Sequence, residues 1–310
     1  MSGIELYAPR RPRHRRTWTV AAVVLAVVFI VVGQVAGAIP GIMAGFLTPE
    51  GEPVGWRGTA WTLVSFAFTA GIIILWVTLF ERRGLREIGF NGDGLKRFLR
   101  GYAIGLAFLL VVGGAIWALG GYRVDAGGAF GAAHVGAALI PIAVLLLGFI
   151  IQGSTEEILT RGWLMQVIVS RHGLAWGIGL SSALFGLLHA ANIDPSPELL
   201  TGVLNVVLFG VFIGLYAARE GSLWGVCGWH AAWNWLLGLG FGLEVSGHVV
   251  ETTPLVVDLG TQTTVPWWVT GAYFGPEGSV VTTAVLLIGT VVLIVKGRTR
   301  DHGVEAAAAG

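Results

Sequence analysis

Apolar residues run along this chain in blocks of about 20, broken by short polar stretches, and a block of that length is what a helix needs to cross a bilayer. Eight such blocks are present, at residues 17–39, 59–80, 101–119, 135–169, 174–191, 199–218, 223–243 and 279–295. The expected fold class is therefore all-α, a polytopic membrane helix bundle with about eight transmembrane helices. The fourth block is long enough that its helix should tilt or continue past the hydrocarbon. The stretch 244–278 is polar and then aromatic, at Trp267, Trp268, Tyr273 and Phe274. It reads as a loop dipping into the interface. No internal repeat and no second domain is visible. The layout expected is a basic N-terminus at 1–16, a membrane domain at 17–296 and a tail at 297–310.

Composition strengthens this picture. Of 310 residues, 55% are hydrophobic and 12% charged, about half the charge of a soluble domain. Thirteen Trp and 48 Gly suit membrane interfaces and close helix contacts. The pairs Gly210 with Gly214, and Gly238 with Gly242, read as small-residue helix contacts. The net charge of +1 carries no signal for nucleic acid. The lone Cys227 rules out an intramolecular disulfide or a Cys-based metal cluster.

Positive charge is segregated. Arg10, Arg11, Arg13, Arg15 and Arg16 precede the first block, and Arg82, Arg83, Arg86, Lys96, Arg97 and Arg100 lie between the second and third. Arg171, Arg219 and the group Lys296, Arg298 and Arg300 fall in the later connections on the same side. The opposite connections hold Arg57 and Arg123 alone, and 244–278 holds no Lys or Arg. The positive-inside rule then places both termini in the cytoplasm of a multi-pass protein of the cell membrane. The arginine-rich start fixes orientation rather than serving as a cleaved signal, because apolar character persists to Leu47.

Against this apolar background, a few ionisable residues are expected within the bilayer. Glu156 and Glu157 are adjacent, with Arg161 one helical turn on. His189 lies four residues after Phe185, and Asn234 four after His230. Charged groups at such depth are costly and normally face a protein-lined cavity. Glu157 and Arg161 share a helix face and can pair. Glu156 points about 100° away and is free for another role, such as general acid or base. The fourth and fifth blocks form a hairpin turning near 171–173. Glu156 and His189 both lie roughly 25 Å from that turn at 1.5 Å per residue, so they should meet. His230 and Asn234 can reach the same level, giving one site expected nearer the cytoplasmic face. Each motif has a plainer reading: Glu157–Arg161 as a packing ion pair, a single His or Asn234 as interhelical hydrogen bonders, and Phe185 as packing. The coincidence of three ordered motifs at compatible depth favours chemistry. His14, His134, His172, His248 and His302 fall at ends or in loops and receive no role.

The ordered set Glu-Glu-x-x-x-Arg, Phe-x-x-x-His and His-x-x-x-Asn resembles the CPBP family of intramembrane proteases. That family, also termed Abi or CAAX-protease-like, includes the Rce1-type CAAX prenyl endopeptidases. The resemblance covers about 130–245. It implies hydrolysis of peptide bonds in membrane-associated or lipidated substrates. Carried over, Glu156 is the general base, His189 helps hold the water, His230 and Asn234 stabilise the oxyanion, and Glu157 with Arg161 is the supporting pair. Members are often described as metalloproteases, so Glu156, His189 and His230 are candidate ligands for a zinc ion. The two His come from different helices, unlike a His-Glu-x-x-His site, and the sequence leaves metal against glutamate-activated water open. Two readings of another class remain: a proton-coupled transporter or relay, since membrane Glu and His also build pumps, and a non-catalytic membrane scaffold. Inverted repeats, the usual pointer to a transporter, are absent.

Overall fold

The computed structural model describes residues 5–296; the tail at 297–310, with Arg298, Arg300 and His302, lies outside the described residues. The helices run in chain order: α1 (Thr19–Met43), α2 (Gly55–Leu75), α3 (Gly94–Ala118), α4 (Val135–Glu157), α5 (Met165–His172), α6 (Leu174–Leu188), α7 (Pro197–Glu220), α8 (Trp224–Trp235), α9 (Trp267–Thr270) and α10 (Val280–Lys296). Three π turns extend or join them, at Trp76–Phe80, Ile158–Leu164 and Leu236–Gly240. Six helical stretches are long and apolar enough to cross a membrane. One of them, Val135–His172, is 38 residues of continuous helix through α4, the π turn and α5. Six of the eight expected spans are thus met by length and composition. The α8 rod and the α10 helix are shorter.

Local sequence explains the helix ends where they are sharpest. The hydroxyl of Ser196 accepts the Leu199 amide, Pro197 opens the first turn of α7, and Glu198 follows. Gly221, with φ 64°, ends the helix in the left-handed region. This is the N-cap, proline and C-terminal glycine asymmetry of isolated helices. Elsewhere packing decides. Val20, Val24 and Val31 on α1, and Ile288, Val291 and Ile294 on α10, are exposed, as lipid-facing side chains must be.

The inner helix is α8, buried without interruption from Gly225 to Asn234. It comes close to α3 because both present glycine. A Cβ on Gly101 would overlap the Gly225 carbonyl, and one on Gly228 would overlap that of Phe98. Gly210 and Gly214 of α7 pack on Ser182 and Ile178 of α6, as their spacing predicts. Gly238 and Gly242 do not make a helix contact. Gly238 lies in a π turn against Val245 and Val250, and Gly242 is a loop residue with φ 71°.

The two long connections at the arginine-poor end also differ from expectation. Strand β1 (Tyr122–Gly127) pairs antiparallel with β2 (Val257–Thr261), with an irregularity between Val124 and Ala126. The stretch 244–278 is therefore clipped to the α3–α4 connection rather than lying free. At the opposite end, residues 5–16 fold back: Leu6 packs with Met165, Val169, Ile178 and Ala218, and Glu5 pairs with Arg10 at 2.7 Å.

Candidate active site

Glu156 and Glu157 close α4 and lead into the π turn Ile158–Leu164. A π turn inserts an extra residue into the helical register and so re-aims the side chains around it, and such turns gather at functional sites. The Thr160 hydroxyl donates to the Glu156 carbonyl. Arg161 Nη1 donates to Glu157 Oε1 at 2.9 Å and to Thr160 Oγ1 at 2.9 Å. Both members of the Glu157–Arg161 pair are 0% exposed, whereas the Glu156 side chain is 18% exposed. The guanidinium lies over the Phe185 ring, 4.7 Å from its centroid, and 5.8 Å from that of Phe209. Cation–π contact of this kind partly replaces the lost hydration of a buried cation.

His230 reaches this pair from α8. Its Nδ1 lies 2.8 Å from Glu157 Oε1. A carboxylate only accepts, so Nδ1 carries the proton. Its Nε2 then faces Glu156 Oε2 at 3.4 Å, a separation too poorly aligned to make a hydrogen bond; Glu156 Oε2 is buried and has no hydrogen-bond partner. The approach depends on Gly153 of α4, where a Cβ would stand 3.3 Å from the His230 ring. One turn along α8, Asn234 Nδ2 donates to Gln152 Oε1 at 3.0 Å. That leaves the second amide proton of Asn234 available.

His189 lies just beyond the end of α6 in a short 3-10 turn. Its Nδ1 is 2.8 Å from the Phe185 carbonyl, which fixes the proton on Nδ1 and leaves Nε2 for another partner. Phe185 is edge-on to both histidines, with centroids 4.7 Å from His189 and 6.2 Å from His230. Phe185 therefore does pack, as one of its readings held, and what it packs is the candidate site.

Glu156, His189, His230 and Asn234 all line one cavity of about 670 Å3. Glu157 and Arg161 lie behind it. The cavity also takes in Gln152, Glu52, His248 and Glu277, which sequence reasoning passed over. Gln152 carried a signal, since it is four residues before Glu156 on the same helical face. His248 had none: a tight turn between Val245 and His248, with Ser246 at φ 49° and Gly247 at φ 90°, brings it to the cavity. The site was expected nearer the cytoplasmic face, yet the loops that line its cavity are those at the arginine-poor end.

Glu156, His189 and His230 are the candidate zinc ligands. A zinc ligand nitrogen stands ≈ 2.0–2.1 Å from the metal with open lone pairs. Both histidines keep Nε2 open, with Nδ1 held by an oxygen as in metal-bound imidazoles, but among the described residues no group of three or more His, Cys, Asp or Glu is arranged to hold a metal ion. Glu156, His189 and His230 as placed do not converge as three zinc ligands.

No curated protein and no solved structure matches the chain. A family model does: the one described as Type II CAAX prenyl endopeptidase Rce1-like, over residues 137–236. That stretch contains all seven motif residues, from Glu156 to Asn234. Six apolar helices of spanning length surround or contain it. This multi-pass helical membrane protein thus carries, over residues 137–236, a domain of the Rce1-like endopeptidase family.

Proposed function

We propose that the chain is an intramembrane endopeptidase that hydrolyses peptide bonds of membrane-associated or lipidated substrates with a water activated by Glu156. The observation that carries this reading is the asymmetry of the two glutamates. Glu157 is enclosed and held by Arg161 and His230, while Glu156 is partly exposed and lines a cavity shared with His189, His230 and Asn234.

In the proposed reaction, Glu156 takes a proton from water as the oxygen attacks the substrate carbonyl, and His189 Nε2 holds the other water proton. The carbonyl oxygen becomes an oxyanion. Asn234 Nδ2–H and His230 Nε2–H donate to it, and fixed donors in a water-poor cavity are worth most at that moment. Two carboxylates against one guanidinium leave one negative charge, so a second proton on His230, at Nε2, neutralises the cluster and supplies the second donor while Glu156 stays ionised as the base. Glu156 then hands its proton to the departing amine nitrogen as the C–N bond breaks. The remaining water proton passes by way of His189 Nε2 to the amine, so a carboxylate and an ammonium leave and the site returns to its starting charge. The positive-inside rule orients the molecule with both termini in the cytoplasm of the cell membrane.

The test is cleavage of a pool of hydrophobic and lipidated peptides by the purified protein in detergent. Glu156→Gln keeps the shape and removes the base, and should lower kcat by ~1,000-fold or more, the scale of a lost general base combined with a disturbed oxyanion site. Full cleavage by Glu156→Ala would show that the base is another residue.

A further inference from the structure

Resting on the endopeptidase reading, we infer that the site is entered from the extracytoplasmic side and cuts internal bonds of neutral or cationic polypeptide segments, rather than trimming a cytoplasmic C-terminal carboxylate tail. Two independent observations carry this, one of access and one of charge.

The cavity lining is one-sided. Besides membrane-depth residues it takes Gly51, Glu52 and Pro53 from the α1–α2 connection, Asn192 beyond α6, and the turn 245–250 after α8. All of these connections lie at the end that holds only Arg57 and Arg123. None of the connections at the arginine-rich end contributes. That end is closed by its own contacts. The Leu223 amide and the Ser222 hydroxyl both donate to the Gly89 carbonyl, at 2.9 and 3.0 Å. Asn91 donates to the Gly221 carbonyl. Arg83 binds Glu81, the Glu87 carbonyl and Gln166, and Leu6 of the N-terminal segment is packed below. If arginine marks the cytoplasm, the cytoplasmic end is the sealed one.

The wall of the cavity is acidic. Glu52, Glu156 and Glu277 line it, and among the described lining residues there is no Lys or Arg. Arg161, the nearest cation in the motif set, is enclosed and paired with Glu157. A substrate's terminal carboxylate would lose its hydration in this cavity and find no Lys or Arg in return, the charge of His230 being already matched by Glu156 and Glu157, and an unpaired buried charge is heavily penalised. An internal amide bond carries no such charge, and flanking Lys or Arg would be drawn to the acidic rim.

The access arm uses a membrane-impermeant, bulky maleimide on Glu52→Cys and Lys96→Cys, exposed positions at opposite ends; the buried Cys227 gives the wild-type background. Each variant is compared with itself before labelling. Glu52→Cys should be labelled in intact cells, and its cleavage of the hydrophobic peptide pool in detergent should then fall by about tenfold or more, a barrier change any obstructed entrance reaches. Lys96→Cys should be labelled only after permeabilisation, with no fall. The selectivity arm supplies the same peptides with free-acid and amidated C-termini, together with farnesyl-cysteine peptides ending in a free carboxylate, and reads cut sites by mass spectrometry. Cuts should be internal and equal for acid and amide. Labelling of Lys96→Cys from outside, unchanged cleavage by labelled Glu52→Cys, or preferential removal of the last three residues of free-acid peptides would each overturn this inference alone. No cleavage of any peptide by the unlabelled wild type would overturn the endopeptidase reading itself, and the inference with it.

Discussion

Adjacent glutamates on one helix point in different directions, and here the difference decides which is sealed and which is open. Glu157 accepts from Arg161 and His230 with no exposure, so removing its charge leaves a buried guanidinium unpaired. Loss of one partner of such a pair costs about 3–5 kcal/mol. Glu157→Gln should therefore lower the detergent melting temperature and cleavage together. Glu156→Gln, by contrast, should lower the melting temperature less than Glu157→Gln, because Glu156 is partly exposed and faces His230 at 3.4 Å without the close contacts of Glu157. Gln152→Ala removes the acceptor that orients Asn234. It should lower kcat by about tenfold with KM little changed, the pattern of an interaction made only in the transition state. The four-residue spacings made Glu157–Arg161 and the shared cavity face legible in the sequence. The clamp of His230 on Glu157 was not, because it depends on two helices meeting at Gly153, and no spacing within either helix reports that.

Helix by helix, the hydrophobic blocks predicted where the rods lie, though α3 starts at Gly94 rather than at 101, and the hairpin of the fourth and fifth blocks turns at Gly173 as expected. The failures share a cause: each depends on contact between distant segments. Strands β1 and β2 are six and five residues long, carry glycines, and have partners far apart in sequence, so neither strand shows a pattern alone. The α3–α8 contact was equally hidden, although Gly101 and Gly105 have the spacing of a small-residue face. Gly101→Ala should be strongly destabilising, since the added Cβ collides with the Gly225 backbone. Gly114→Ala on the same helix meets nothing within 4 Å and should be neutral or stabilising by up to about 1 kcal/mol, the helix preference of alanine. Melting curves of the two variants in one detergent decide the matter. The turn at the arginine-poor end has a pH signature of its own. Burial raises the Glu244 carboxyl above its ordinary value, so the folded protein binds that proton more tightly than the unfolded chain. Stability then declines as pH rises from the ordinary value to the raised one. Glu244→Gln should abolish this decline, melting with wild type in acid and above it at neutral pH.

Across the whole molecule, the long rod of α4, its π turn and α5 carries two buried polar clusters a few residues apart. Toward the cavity lie Glu156, Glu157 and Arg161. Toward the arginine-rich end, Trp163 donates to Glu81 at 3.1 Å and Gln166 accepts from Arg83 at 3.0 Å. Glu81 is fully buried and also accepts from Thr17 at 2.6 Å and from Arg83 at 3.2 Å. This second cluster ties the start of α1, the end of α2 and the π turn into one unit. Arg83→Met should strand the Glu81 charge and cost about 3–5 kcal/mol. Glu81→Gln in the same chain removes that charge while an amide keeps the hydrogen bonds from Thr17 and Trp163 available. The double variant Glu81→Gln/Arg83→Met should thus recover much of the loss, with a coupling of about 0.5–3 kcal/mol between the two positions. Because Trp163 and Arg161 occupy one π turn, the recovery should extend to function. Cleavage, lost in Arg83→Met as the turn loosens, should return in the double variant in step with its melting temperature. A double variant that melts normally but stays inactive would instead mean that the Arg83 charge itself serves the reaction; additive losses in melting would mean that Glu81 and Arg83 do not act as a pair.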